Sequence, residues 1–221
     1  LMTAPIIAQV ISIFLTPVLT RLYTPEAFGL ANLLSSFVML FASFATLGYH
    51  NAIILPKNDF YAKVLFRLCL VLILTTSLLS IIIIVFGKKQ ILLLINSPEI
   101  VKFLWLVPIF VFSEGLYETL RFWSTRFRDF KKIAISRTIP SFSQRAYQIT
   151  TGIICNATAD NLIYGNLFSR IIKNLVFLQK VETEDIKKTV KISHLVVTAK
   201  RYIKFPKFSL WGNLLAKAPY F

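Results

Sequence analysis

Charge is what this sequence has least of. Asp, Glu, Lys and Arg make up 16% of its 221 residues, against roughly 25% in a soluble domain. Apolar residues reach 56%, and mean hydropathy is +0.66. A chain of this length otherwise suits one or two soluble domains, but so much apolar surface needs a second solvent, and lipid supplies it. Catalytic signatures are missing as well. No GxGxxG, P-loop, CxxC or HExxH pattern occurs, and His50 and His194 have no ligand or nucleophile partner at a useful spacing. No enzyme activity, metal or cofactor is therefore expected. Cys69 and Cys155 stand in different apolar segments and read as small apolar residues. The first apolar run has no basic lead, which favours a broken spanning helix over a cleaved signal peptide. The chain also stops inside an apolar run, so both ends read as cut.

What the sequence does have is long apolar runs. About 20 such residues cross the ~30 Å hydrocarbon core of a bilayer. Segments 3–19, 28–47 and 68–86 meet that test without one charge. The third is almost unbroken Leu, Ile and Val, as expected of a helix facing lipid. Three more runs are interrupted: 103–120 by Glu114 and Glu118, 133–155 by Arg137 and Arg145, and 162–181 by Arg170, Lys173 and Lys180. Residues 208–221 start a seventh. The expected fold class is all-α, a polytopic membrane helix bundle of about six transmembrane helices plus the start of a seventh. Its organisation would be a six-helix lobe over 1–181, a cytoplasmic connector over 182–207, and the beginning of a second lobe over 208–221.

The net charge of +15 follows the same plan. If the helices alternate in direction, loops 55–68, 121–137 and 180–207 carry most of the basic residues. The opposite set holds only Arg21, Lys88, Lys89 and Lys102. Basic loops stay in the cytoplasm, so the first loop faces outward. A nucleic-acid-binding groove would also be basic, but would not require cations to alternate loop by loop with apolar spans. Within the connector, Ile186, Val190 and Val197 fit one apolar face of an interfacial helix. A solvated linker fits the same residues.

Polar residues on spanning helices face the bundle or a wet cavity, because facing lipid is costly. In 133–155, Arg137, Ser141, Gln144, Gln148 and Thr151 recur at steps of three and four and so share one helix face, with Arg145 beside it. Similar stripes run through Glu114, Glu118, Arg121 and Thr125; through Asn166, Arg170 and Lys173; through Gln9, Ser12, Thr16 and Thr20; and through Asn32, Ser36, Ser43 and His50. Only the third segment shows none. A bundle around a polar lumen is expected, with Arg145, Arg170 and Glu114 near the midplane and Glu118, Arg137 and Lys173 nearer the cytoplasmic mouth. Excess cations there suit an anionic cargo such as a phosphate. Glu114 and Glu118 either serve the lumen or neutralise Arg121, Arg145 or Arg170 as structural ion pairs. Pro17, Pro108 and Pro140 fall inside the runs as bends or as packing features.

The run Thr16-Pro17-Val18-Leu19-Thr20-Arg21-Leu22-Tyr23-Thr24-Pro25-Glu26-Ala27-Phe28-Gly29 resembles bacterial polysaccharide biosynthesis transporters, the lipid-linked oligosaccharide (O-antigen) flippases. Ala45 to Gly48-Tyr49, Ala52 to Lys57, Arg121 to Arg137 and Tyr202 to Ser209 resemble further family segments in register. The resemblance implies a two-lobed transporter of twelve or more helices, related to the multidrug and toxin extrusion fold. It would flip undecaprenyl-pyrophosphate-linked glycan across the inner (cytoplasmic) membrane by alternating access, serving surface polysaccharide such as lipopolysaccharide. It also implies a cationic central cavity, a role that Arg145 and Arg170 fit. Expected partners are the lipid-linked oligosaccharide, membrane lipid, a polysaccharide polymerase and other assembly proteins, and no nucleic acid. The chain would cover the first lobe and the start of the second. Two other readings stand: a cation-coupled small-molecule or drug exporter of the same fold, and a non-transporting product of an interrupted gene.

Overall fold

The structure is a computed structural model that describes residues 3–95, 98–178, 192–209 and 212. Helix α1 (Thr3–Leu22) is followed at once by α2 (Pro25–Phe44). Thr24 separates them as an N-cap whose side chain accepts from the Ala27 amide, with Pro25 in the first turn and Glu26 beside it. Each suits a helix start: an oxygen for a free amide, a pre-set φ, and a negative charge at the positive end of the dipole. The Thr-Pro-Glu run within the family resemblance is thus a helix cap.

After α2 the chain turns through Gly48, at φ 78°, into a short 3₁₀ turn, Tyr49–Ile54. An added Cβ at Gly48 would stand 3.1 Å from the Ser209 Cβ, so conformation and space both favour glycine here. Helix α3 (Asp59–Ile95) is next. A 3₁₀ stretch, Pro98–Leu106, then feeds α4 (Val107–Arg126). Helices α5 (Phe130–Ile154), α6 (Ala159–Leu178) and α7 (Ile192–Arg201) follow, then a single π-helical turn, Phe205–Ser209. Among the described residues there is no strand.

Helix α5 lies between α1 and α6, α6 also meets α4 and α2, and α3 packs on α4 and the first 3₁₀ turn. Residues at the α1–α2 and α5–α6 turns gather at one end with Lys102, which pairs with Asp160 at 2.8 Å. The opposite end is tied by Arg126. Its guanidinium donates to the carbonyls of Ile53, Ile54 and Pro56 and pairs with Asp59 at 2.6 Å.

Among the described residues, three helical stretches are long and apolar enough to cross a membrane: Pro25–Phe44, Asp59–Lys88 and Pro98–Arg126. The polar and charged residues of α5 and α6 keep their mean hydropathy too low, and the described apolar part of α1, Ile13–Leu22, is short. Segment 68–86 is only the middle of α3, whose 37 residues extend over about 56 Å. Pro108 stands in the first turn of α4, where the 3₁₀ stretch passes into the α-helix. Pro140 does lie inside α5.

Of the 182–207 connector, 182–191 lie outside the described residues, including Ile186 and Val190. The rest is helical from Ile192, and Val197 is exposed. This part docks on the Arg126 end: the Tyr49 hydroxyl donates to the Ala199 carbonyl and Asn51 Nδ2 to Ser209 Oγ. Most of 208–221 lies outside the described residues.

The buried apolar side chains form two clusters. One gathers Leu19, Leu34, Val38, Ile100, Phe110 and Ile163; the other gathers Tyr49, Ile53, Leu65, Tyr117, Leu120 and Phe177. On α4 the boundary falls between Val111 and Tyr117, on α6 between Ile163 and Phe177, and at the end of α2 between Ala45 and Tyr49. Glu114 of α4 and Arg170 and Lys173 of α6 stand at that boundary.

Candidate functional site

Helix α4 brings Glu114 to the boundary and Glu118 and Arg121 just beyond it, at steps of four and three, on one face. Helix α6 brings Arg170 and Lys173. Arg170 Nη1 donates to Glu114 Oε2 across the two helices, and its guanidinium lies 5.0 Å from the Phe110 ring centroid. Arg121 donates through Nε and Nη2 to Glu118 Oε2, at 3.1 and 2.5 Å, and stacks over Phe122 at 4.6 Å. The Lys173 ammonium stands 5.4 Å from the centre of the Tyr117 ring, within electrostatic reach of Glu114, Arg170, Glu118 and Arg137. Four cations thus surround two carboxylates.

A cavity of about 230 Å³ opens beside them, lined by Ser43, Thr46, His50, Asn51, Glu114 and Glu118 among others. That volume admits several water molecules. Glycine at 115 lets α4 pack closely on its neighbours: a Cβ there would come within 2.8 Å of Ile73 Cγ1 and 3.0 Å of Ala45 Cβ. His50 Nδ1 shares a hydrogen bond with Thr46 Oγ1, and the ring meets Phe122 edge-on at 5.0 Å.

Of the residues singled out in the sequence, Glu114, Glu118, Arg170, Lys173 and Arg137 come together. Arg145 does not join them. The antiparallel register of α5 and α6 is fixed by Ser169 Oγ to the Pro140 carbonyl (3.1 Å), Gln144 Nε2 to Asn166 Oδ1 (2.5 Å) and Gln148 Nε2 to the Leu162 carbonyl (3.1 Å). That register sets Arg137 level with Lys173 and Arg145 level with Gly165, about 7 Å along the axis from Arg170. Arg145 makes no ion pair or hydrogen bond among the described residues.

The α5 stripe also has a different role from the one expected. Gln144 and Gln148 bond to α6, while Ser141 and Thr151 bond back to the carbonyls of Arg137 and Tyr147 on their own helix. Four of these five polar residues therefore close helix contacts or turns. Thr20 bonds to the Pro17 carbonyl and faces outward, as does Asn32. Gln9 and Ser12 lie outside the described side chains.

The third helix, read as having no polar face, carries one. Thr76 Oγ1 donates to the Ala45 carbonyl (3.3 Å) and Ser77 Oγ to the Pro108 carbonyl (3.1 Å). The Thr75-Thr76-Ser77 run inside an apolar segment was the available signal. Thr46, Asn51 and Gly115 were likewise missed, because nothing local distinguishes them from packing residues. Cys69 is buried and Cys155 exposed, both free. Among the described residues no group of His, Cys, Asp and Glu is placed to hold a metal ion.

A family model described as polysaccharide biosynthesis protein matches residues 18–217. The chain belongs to this family. No curated protein and no solved structure matches it. In this polysaccharide biosynthesis protein the matched range holds every charged residue of the site. It also holds three anchors between elements: Tyr23, whose hydroxyl donates to the Gln148 carbonyl at 2.6 Å; Gly48; and Arg126. The segments that carry the resemblance therefore tie helices together, and the charged cluster occupies the space they enclose.

Proposed function

We propose that this polysaccharide biosynthesis protein acts as a transporter rather than an enzyme, flipping a lipid-linked oligosaccharide with a pyrophosphate headgroup across the cytoplasmic membrane. The observation that carries the reading is the cationic excess at the boundary between the two apolar clusters, where Arg121, Arg137, Arg170 and Lys173 outnumber Glu114 and Glu118. A pyrophosphate that loses water inside the bilayer needs partners, since unpaired buried anions cost several kcal/mol or more. Guanidinium forks match phosphate oxygens. In this reading α1 to α6 all span, α5 and α6 turning apolar side chains such as Phe142, Ile153, Phe168 and Leu175 outward, and the Arg126 end is cytoplasmic. Membrane lipid is the surrounding partner, with polymerase and other assembly proteins beyond it.

The test is glycan export in cells that depend on this protein. Arg170→Ala should abolish export while the protein stays in the membrane, and Lys there should rescue only partly. Normal export by an Arg170→Ala/Lys173→Ala double variant would remove the reading. Orientation is tested separately, by placing cysteine at position 128 or 89 in a cysteine-free background. An impermeant reagent applied to intact cells should label position 89 and spare 128.

One observation favours a second reading. The charged lining of the cavity itself is two carboxylates and Arg121, with a histidine beside them, and a cation-coupled exporter of small molecules would use such carboxylates. Loss of drug resistance with unchanged surface glycan in a Glu114→Gln variant would decide for it.

A further inference from the structure

We propose that a groove between α5 and α6 at the Arg126 end holds one anionic phospholipid, its phosphate on Lys131 and Lys132 and an acyl chain between the helices. The inference goes beyond the transport reading and takes from it only that α5 and α6 span the bilayer. The groove has a volume of about 610 Å³. Ile135 and Ile139 form its α5 wall, four residues apart and so on one helix face. Ile172, Leu175 and Val176 form the α6 wall. Arg137 stands about 160° round α5 from both isoleucines, so the groove opens away from the charged cluster. The cross-helix bonds 148–162, 144–166 and 140–169 stop short of it. From Lys131 to Ile139 it runs about 12 Å along the axis, most of one leaflet of a ~30 Å hydrocarbon core.

Charge is confined to one end of the groove, where Asp129, Lys131 and Lys132 open α5. Asp129 is committed twice: Oδ1 caps the Lys132 amide, and Oδ2 pairs with the Lys132 ammonium at 3.2 Å. Lys131 is exposed, and its ammonium makes no ion pair or hydrogen bond among the described residues. Arg128 is exposed on the turn before the helix and adds to the positive field. On the same turn Phe127 and Phe130 are 53 and 43% exposed, apolar surface that suits the edge of a bilayer better than open water. The lysines therefore stand at headgroup level, where basic side chains attract anionic lipid. A free phosphate would gain nothing from the apolar walls, whereas each methylene of an acyl chain gains by leaving water. Phosphatidylcholine brings its own cation beside the lysines and loses the net attraction. The occupant that fits both halves of the groove is an anionic lipid of the leaflet at this end, and it fastens α5 to α6 where side-chain bonds stop.

The experiment uses the whole protein in phosphatidylcholine nanodiscs. A trace of phosphatidylglycerol or phosphatidylcholine carries a photoreactive diazirine in the same acyl chain, and cross-links are mapped by mass spectrometry. In the wild type the phosphatidylglycerol probe should label 135–139 and 172–176 about fivefold more than the phosphatidylcholine probe, the attraction of one free ammonium for an anionic lipid. Around Leu74 and Leu78, exposed on α3, the two probes should label equally. Lys131→Gln/Lys132→Gln should erase the preference and leave phosphatidylcholine labelling as it was. Lys131→Arg/Lys132→Arg should keep the preference, and unchanged labelling of α3 shows that each variant is folded. Ile139→Trp fills the groove and should reduce labelling of 172–176 by both probes. Excess inorganic phosphate at constant ionic strength should displace neither.

Equal labelling of the groove by the two probes would overturn the proposal, as would a preference that survives loss of both lysines or that phosphate abolishes. An equal preference on α3 would show general enrichment of anionic lipid and overturn it too. Labelling of 135–139 and 172–176 by neither probe would mean that protein covers the groove. Export does not enter the readout, so either outcome leaves the transport reading to its own test.

Discussion

Helices α3 and α5 show two ways of holding a helix in this bundle. Over its middle α3 presents Leu78, Val85 and Phe86 at 60, 65 and 81% exposure, and these side chains suit lipid. Its ties to the bundle are a buried edge through Ile73 and Cys69 and the hydroxyls of Thr76 and Ser77 on neighbouring carbonyls. Helix α5 is fastened on two sides. Tyr23, just past α1, bonds to its backbone, and Gln144 and Gln148 bond to α6, with Gln148 only 2% exposed. Glycines allow both contacts: a Cβ at Gly152 would meet the Tyr23 hydroxyl at 2.8 Å, and one at Gly165 the Gln148 Cγ at 2.7 Å. In lipid, apolar surface gives little drive for helices to associate, so close approach and hydrogen bonds must supply it. Helix α5 therefore depends on particular atoms, whereas α3 depends on apolar character and a few hydroxyls.

Substitutions that separate these two modes range from severe to silent. Gly165→Leu forces α5 and α6 apart and should cost about 3 kcal/mol, seen as loss of folded protein on unfolding in SDS; a variant as stable as wild type would show that the α5–α6 contact is not close. Arg126→Met strips three carbonyls and Asp59 of their donor and should cost about 2 kcal/mol. Its signature is faster proteolysis between residues 55 and 59, and Lys should not restore protection because it lacks the guanidinium fork. Gln148→Leu keeps the volume but removes the bond to Leu162, with an expected loss of about 1 kcal/mol in the same unfolding assay. Ile83→Ala, at 41% exposure on α3, should change stability by less than about 0.5 kcal/mol and leave export untouched. A large effect there would mean that α3 is covered by protein.

The sequence by itself determined the helical, membrane-embedded character of the chain, since runs such as 68–86 admit no other solvent and every backbone group in lipid needs an internal partner. The convergence of Glu114, Glu118, Arg170, Lys173 and Arg137 was legible too, because helical spacing puts each set on one face and polar faces turn inward. Pairing was not legible. Periodicity gives a face but neither the neighbour it meets nor the register. Whether Glu114 would join Arg121, Arg145 or Arg170, and whether Gln148 would face water or Leu162, depended on how α4, α5 and α6 slide against one another. Tertiary structure decided this through contacts distant in sequence, such as the Cβ-free surfaces of Gly115 and Gly165 and the 140–169, 144–166 and 148–162 bonds. Those contacts set Arg145 apart from the cluster and turned part of an apparent lumen lining into a helix seam.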